Sequence, residues 1–139
     1  MMDDSRNVPQ RVHHINFVVH DLEQAIARYE RILGQPVAYR ESLPGRGKLA
    51  RFEVNGVWIV LVQPVDENSQ PGQHLAQHGE GFFLLSFEVP DVRRAAERLR
   101  EQGLSILNDE PRQGLENWQV MDVDPSDACG VLVQLVEEA

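Results

Sequence analysis

The fold is decided by two similar stretches of the chain, residues 12–22, VHHINFVVHDL, and residues 82–92, FFLLSFEVPDV. Each stretch joins a run rich in β-branched and aromatic residues, which is typical of a strand, to an aspartate that is typical of a helix N-cap. Asp21 also has Gln24 three places on, in the capping-box position. Apolar residues then recur at helical spacing after each aspartate. The pattern predicts one strand–helix unit at two places in the chain.

The two units are in register over most of their length. Subtracting 70 from the residue number aligns Asp91 with Asp21, together with the strand before each aspartate and the helical stripe after it. Subtracting 74 aligns Gly130 with Gly56, at the turn before the final strand of each copy. Agreement across strand, cap, stripe and final strand indicates that one strand–helix–strand–strand–strand module is present twice.

The predicted fold class is α+β, with two tandem βαβββ modules forming a curved mixed sheet around a central cleft and helices on the outer face. Residues 1–10 are predicted to be a flexible tail and residues 11–139 a single domain. Within that domain, module one covers about 11–64, a linker 65–81 and module two about 82–137. The predicted strands are 12–19, 36–41, 49–54, 57–63, 83–89, 104–107, 118–123 and 131–136, with a short helix at 73–78.

Composition limits the partners of the protein. The net charge of −9 argues against a nucleic-acid backbone or an anionic membrane surface as the main partner. No apolar run approaches the roughly 20 residues of a membrane span, and the first residues lack the pattern of a signal peptide. A lone cysteine, Cys129, fits a reducing compartment. We therefore expect a cytoplasmic protein with a small-molecule partner, and a homodimer because half-closed sheets leave edges that a second copy could cover.

Alternation along the strands places a mixed set of side chains on the face away from the helices. This set consists of His14, Asn16, Trp58, Val60, Leu84, Ser86, Glu88 and Gln134. Polar residues among apolar ones in a concave sheet predict a small-molecule cleft. Two interpretations stay open for several of them. His14 is either a catalytic or binding residue or a polar residue bonded to Gln134, Glu88 either a general base or a solvated carboxylate, and Trp58 either a ligand contact or a filler.

Several segments, in their order and spacing, resemble the vicinal oxygen chelate superfamily, which includes glyoxalase I, extradiol dioxygenases, bleomycin-resistance proteins and methylmalonyl-CoA epimerases. The likeness covers nearly the whole chain and is nearest to the epimerases. The segments that carry it are residues 13–22, 79–81, 86–89, 109–112 and 125–135.

The resemblance implies a divalent metal (Ni, Co, Mn, Zn or Fe) held by one side chain from the first and last strand of each copy. The corresponding positions here are His14, Val60, Leu84 and Gln134. Valine and leucine donate no lone pair, which leaves one imidazole and one neutral amide and no anionic ligand to offset dehydration of the ion. His13 is a poor substitute because strand alternation directs it to the opposite face.

The favoured interpretation is therefore a glyoxalase/bleomycin-resistance-like protein with a small-molecule, acyl-CoA-like cleft and no cofactor, acting as a binding protein or a metal-free enzyme. In it His14 and Glu88 are the candidate catalytic residues. The candidate ligand-binding residues are Asn16, Trp58, Val60, Leu84, Ser86 and Gln134. The alternative is a metal-dependent isomerase or lyase of the epimerase or glyoxalase I type with non-standard ligands, in which His14 and Gln134 are the candidate metal ligands.

Overall fold

The computed structural model describes residues 7–44 and 47–138, which fall into two compact units. The first unit spans residues 14–83, and the second combines the chain up to His13 with the chain from Leu84 onward. The units correspond to the two copies expected from the sequence, except that both boundaries fall inside strands. The start of strand 11–18 belongs to the second unit, and the start of strand 81–88 belongs to the first.

The first unit has the predicted βαβββ order, followed by a further helix. Its elements are β1 (Arg11–Val18), α1 (Leu22–Leu33), β2 (Tyr39–Leu43), β3 (Gly47–Val54), β4 (Val57–Gln63) and α2 (Gln70–His78). The strand order is β2-β3-β4-β1, with β1 and β4 parallel and the other neighbours antiparallel. The predicted short helix is thus α2, which begins three residues earlier than expected at its Ser69 N-cap.

Local signals in the sequence account for the boundaries of these elements. The Asp21 side chain accepts a hydrogen bond from the Gln24 backbone N–H at 3.1 Å, and α1 ends at Gly34 with a φ of 67°. Asn55 and Gly56 both have positive φ, 50° and 90°, as a two-residue type I′ turn between β3 and β4 requires. The stripe of α1 packs on one face of the sheet. The buried core of this unit is formed by Val19, Leu22, Ala25, Ile26, Ala50, Phe52 and Leu61.

The second unit repeats the βαβββ order. Its elements are β5 (Gly81–Glu88), α3 (Val92–Glu101), β6 (Arg112–Gln113), β7 (Gln119–Val123) and β8 (Val133–Glu137). The strand order is β5-β8-β7-β6, with β5 and β8 parallel. The α3 stripe packs on this sheet, and the core is formed by Val89, Val92, Ala95, Ala96, Met121 and Leu135. In the described ranges, no helix combines the length and the apolar character that a membrane crossing needs.

One strand predicted in the second copy is wrong. Within residues 104–107 only Ile106 forms a bridge, to Val123, and the strand that pairs with β7 is instead the two-residue β6. The apolar run exists because Ile106 packs against the α3 core, whereas Leu107 is exposed. A short apolar run therefore indicates burial here, and it does not indicate pairing within the β-sheet.

Part of the predicted tail is packed on the second unit. Residues 1–6 lie outside the described residues. Asn7 is buried, with its carbonyl accepting a hydrogen bond from Arg98 Nε at 3.4 Å. The Gln10 backbone N–H donates to the Glu88 carbonyl at 2.9 Å, which extends the backbone pairing ahead of β1.

The matched N-caps of α1 and α3 give a direct test of the duplication. The Asp91 side chain accepts a hydrogen bond from the Arg94 N–H at 3.1 Å, the same contact and distance that Asp21 makes with Gln24. Asp21→Ala and Asp91→Ala are each expected to lower the free energy of unfolding by about 1 kcal/mol. Urea denaturation measures the change, with the Asp→Asn variants as controls that keep the acceptor. A loss in one copy without a comparable loss in the other would contradict equivalent caps.

Candidate functional site

In both units the sheet face away from the helix carries polar side chains. Several side chains expected on the helix-facing side do pack there: Phe17, Val19, Ile59 and Leu61 pack with α1 in the first unit, and Val89 and Leu135 pack with α3 in the second. The opposite face of each sheet is therefore the candidate functional face.

A row of side chains crosses the four strands of the first unit. Asn16 of β1 is paired in register with Val60 of β4, Val60 with Arg51 of β3, and Arg51 with Tyr39 of β2. Because paired residues point to the same face, this row runs Asn16–Val60–Arg51–Tyr39. Two residues before Asn16 on β1, His14 is in register with Trp58 of β4.

Arg51 is the most heavily enclosed charged residue of this face. Its side chain is 2% exposed, and its Nη2 donates to Glu41 Oε1 at 2.9 Å. The guanidinium carbon lies 4.6 Å from the ring centroids of both Tyr39 and Trp58. The arginine thus lies against two aromatic rings and is paired with the Glu41 carboxylate, an arrangement that offsets part of the cost of burying a charge.

Three further polar residues lie on this face: Glu53, which is in register with Trp58 and exposed, His14 and Asn16. His14 is 4% exposed. The Asn16 Oδ1 atom is buried and has no hydrogen-bond partner within the described residues. An unpaired buried acceptor costs free energy, so a ligand N–H or O–H that reaches this oxygen would recover it.

A second polar row crosses three strands of the second unit. Ser86 of β5 is in register with Gln134 of β8, and Gln134 with Asp122 of β7. Gln134 Nε2 donates weakly to Asp122 Oδ1 at 3.4 Å, and Arg112 donates to the same carboxylate from Nε and Nη2 at 3.1 and 3.2 Å. Ser86 Oγ is buried and finds no partner in the part of the chain that the structure describes. The row offers a hydroxyl and an amide beside a carboxylate that an arginine neutralises.

The residues at the four positions implied by the family resemblance do not fit a divalent metal. Val60 and Leu84 are 1% and 6% exposed, so each is a packed aliphatic side chain with no donor atom. Gln134 is a neutral amide whose nitrogen is turned toward Asp122. Only His14 keeps a residue type that binds metals well. These four side chains therefore offer too few donor atoms, and no anionic one, for a divalent ion.

A different group of potential ligands occurs in the second unit. One ligand atom each from His13, Glu88 and Glu138 lie within 4.8 Å of one another. His13 is fully buried, with Nε2 2.5 Å from Glu138 Oε1 and its ring edge-on to Trp118 at 4.5 Å. Arg11 Nε donates to Glu88 Oε1 at 2.6 Å, so one of the two carboxylates is already neutralised by a guanidinium.

Of the predicted residues, the structure brings together His14, Asn16, Trp58 and Val60 in the first unit, and Ser86 and Gln134 in the second. Sequence reasoning did not select Arg51, Tyr39, Glu41 or Asp122, and it set His13 aside. A signal for two of them was present, because Arg51 and Asp122 each interrupt a short apolar run, residues 49–52 and residues 120–123. Their partners could not be found this way, since each ion pair joins residues about ten positions apart whose pairing depends on strand register.

The doubled βαβββ modules and the polar strand faces define an α+β protein with the vicinal oxygen chelate fold. A model of the glyoxalase/bleomycin resistance protein/dioxygenase superfamily matches residues 13–121, and the chain belongs to this superfamily.

Individual relatives are more specific. The chain is 32% identical over 128 residues to an ethylmalonyl-CoA/methylmalonyl-CoA epimerase of Cereibacter sphaeroides, covering 90% of this chain and 96% of that protein. The crystal structure of methylmalonyl-CoA epimerase from Mycobacterium tuberculosis superposes with a TM-score of 0.87 at 32% identity, covering 100% and 93% of the two chains. A variant of the Streptomyces coelicolor epimerase in complex with 2-nitronate-propionyl-CoA superposes with a TM-score of 0.89 at 32% identity, covering 95% and 96%.

Proposed function

We propose that this protein binds an acyl-CoA thioester and does so without a metal at the family positions. The relatives named above support the class of ligand, because they are epimerases of CoA thioesters and one is seen with a CoA ligand. The single observation that carries the absence of the family metal is the pair of packed aliphatic residues Val60 and Leu84.

Neutral hydrogen-bonding side chains remain on the face of each unit. Asn16 in the first unit, and Ser86 and Gln134 in the second, can each bond a carbonyl or amide group of a thioester. Of the two candidate catalytic residues, His14 is the better proton acceptor. Glu88 is held by Arg11 at 2.6 Å, and a base must leave such an ion pair before it can take a proton.

A metal-dependent isomerase or lyase is the second candidate, and one observation favours it. His13, Glu88 and Glu138 together offer one imidazole and two carboxylates, a donor set that suits ions such as Mn, Fe or Zn. Against it stands the ion pair between Arg11 and Glu88, which a metal would have to displace. The metal-free function is favoured because that carboxylate is already neutralised.

Titration of methylmalonyl-CoA into the protein with EDTA present tests the proposal. We expect saturable binding by calorimetry, with a dissociation constant that EDTA changes by less than about twofold, and a ligand-induced rise in Tm. Elemental analysis of protein purified without chelator is expected to show well under one Ni, Co, Mn, Zn or Fe per chain. Exchange of the ligand C2 hydrogen with solvent deuterium then distinguishes a metal-free epimerase from a binding protein.

Three other results would contradict metal-free binding of an acyl-CoA. About one tightly held metal per chain that is lost in His13→Ala but retained in His14→Ala would establish the second candidate. Loss of metal in His14→Ala instead would return the site to the family positions. No binding of methylmalonyl-CoA under either condition would refute an acyl-CoA ligand of this type.

A further inference from the structure

We infer that Arg51 binds a carboxylate of the ligand, so that the protein selects acyl thioesters that carry a free carboxylate over uncharged acyl thioesters. The inference rests on the proposed function, because it names the substrate class of the same site. Arg51 would supply a fixed positive charge beside Val60, which is one of the positions where the superfamily resemblance implies a metal ligand.

Arg51 lies beside a position that the resemblance assigns to a metal ligand. Arg51 is directly opposite Val60 in the antiparallel pairing of β3 with β4, and the two side chains share a face. Val60 is the aliphatic residue at one of the positions implied for a metal ligand. The aliphatic side chain of Val60 therefore lies next to a permanent cation, which attracts an anionic ligand oxygen as a metal would.

The guanidinium of Arg51 is almost completely enclosed by its neighbours. A guanidinium that is 2% exposed needs compensation, which Glu41, Tyr39 and Trp58 provide. Exclusion of water by the two rings also strengthens the attraction between the guanidinium and any carboxylate that reaches it. A packed aliphatic residue would fill the same space at no electrostatic cost, so the buried charge calls for an explanation beyond stability.

A ligand carboxylate can replace Glu41 as the counter-ion of Arg51. The Glu41 side chain is 28% exposed, so it can return to water when another carboxylate takes its place on Arg51. The incoming carboxylate presents the same chemistry as Glu41 and needs no additional charge to be buried. An uncharged acyl group offers no such exchange and leaves the ion pair of Glu41 and Arg51 intact.

The unpaired acceptor of the same row supports the ligand class. Asn16 lies two strands from Arg51, which corresponds to roughly 10 Å between backbones at the usual strand spacing. Its buried Oδ1 calls for a donor. A CoA thioester with a carboxylated acyl group has both an anionic end and amide N–H groups further along its pantetheine arm.

The test compares malonyl-CoA with acetyl-CoA by calorimetry in the presence of EDTA. The wild-type protein is expected to bind malonyl-CoA roughly 10- to 100-fold more tightly, the range typical of one hydrogen-bonded charge pair. Arg51→Met is expected to remove this preference by weakening malonyl-CoA, while acetyl-CoA changes by less than about twofold. Arg40→Met is the matched control. Arg40 lies on the neighbouring strand, exposed and bonded to Glu23, which raises the pKa of its guanidinium, and this variant should keep the preference.

Glu41→Gln provides a second measurement that does not depend on the folding of Arg51→Met. Because the amide competes less well for Arg51, malonyl-CoA should bind several-fold more tightly to Glu41→Gln while acetyl-CoA does not. Equal affinities for the two thioesters in the wild type, or an unchanged preference in a folded Arg51→Met, would overturn the inference and leave the proposed function standing. If Arg51→Met does not fold, an affinity of Glu41→Gln for malonyl-CoA no higher than that of the wild type would overturn the inference. Failure of both thioesters to bind the wild type would remove the inference and an acyl-CoA ligand together.

Discussion

Replacement of Val60 by glutamate is expected to abolish the preference for malonyl-CoA over acetyl-CoA. Residue 60 is directly opposite Arg51, and side chains in such pairs have Cβ atoms roughly 5 Å apart. A glutamate there can occupy the guanidinium permanently, as an internal competitor of the ligand carboxylate. The ratio of the two dissociation constants, measured by calorimetry with EDTA present, should fall from roughly 10–100 to about 1.

Val60→Gln is the matched control for this prediction. Glutamine has nearly the same size and shape as glutamate but no charge, so it changes the packing without occupying Arg51 as a counter-ion. Both variants should weaken both thioesters if the longer side chain obstructs the face, and for this reason the ratio is the informative quantity. Loss of the ratio in Val60→Gln as well as in Val60→Glu would attribute the effect to shape and contradict the assigned role of Arg51.

Replacement of Phe52 by alanine is expected to have the largest effect on stability, a loss of about 3–5 kcal/mol in the free energy of unfolding. Phe52 is fully buried at the centre of the core of the first unit, where α1 packs on β3 and β4. Truncation removes apolar contact and leaves a cavity that a rigid sheet cannot close. Urea denaturation followed by circular dichroism measures the loss.

The end of the same strand supplies the control. Val54→Ala removes an apolar side chain that is 38% exposed, and it is expected to change stability by no more than about 0.5 kcal/mol. A cost for Phe52→Ala as small as that for Val54→Ala would mean that the core of this unit is not centred on the α1 contact.

The large features of the fold followed from the sequence because they depend on local signals. Asp21 and Asp91 cap their helices as expected, the Asn55–Gly56 turn joins β3 to β4, and β4 has the predicted bounds. Capping, turn geometry and strand alternation each involve residues within a few positions of one another, so the sequence displays them directly. The strand at 104–107 failed because a short apolar run is equally compatible with packing outside a ladder.

The candidate site was harder to predict because its contacts join distant parts of the chain. The sequence indicated that His14, Val60, Leu84 and Gln134 occupy the positions of the superfamily ligands, and it identified two of them as aliphatic. It gave no means of pairing Arg51 with Glu41 or of bringing His13 to Glu138, which is 125 positions away. The aromatic walls of Arg51 likewise depend on the register between β2, β3 and β4.

The sequence by itself determined the doubled βαβββ module and the aliphatic character of Val60 and Leu84, because periodicity and residue chemistry can be read along the chain. Only the tertiary structure decided which charges meet. It placed a buried arginine beside Val60 and enclosed it between Tyr39 and Trp58, and among residues 7–44 and 47–138 it gave the Asn16 acceptor no hydrogen-bond partner. The physical reason is that strand register sets which residues are neighbours, and register comes from the packing of whole strands.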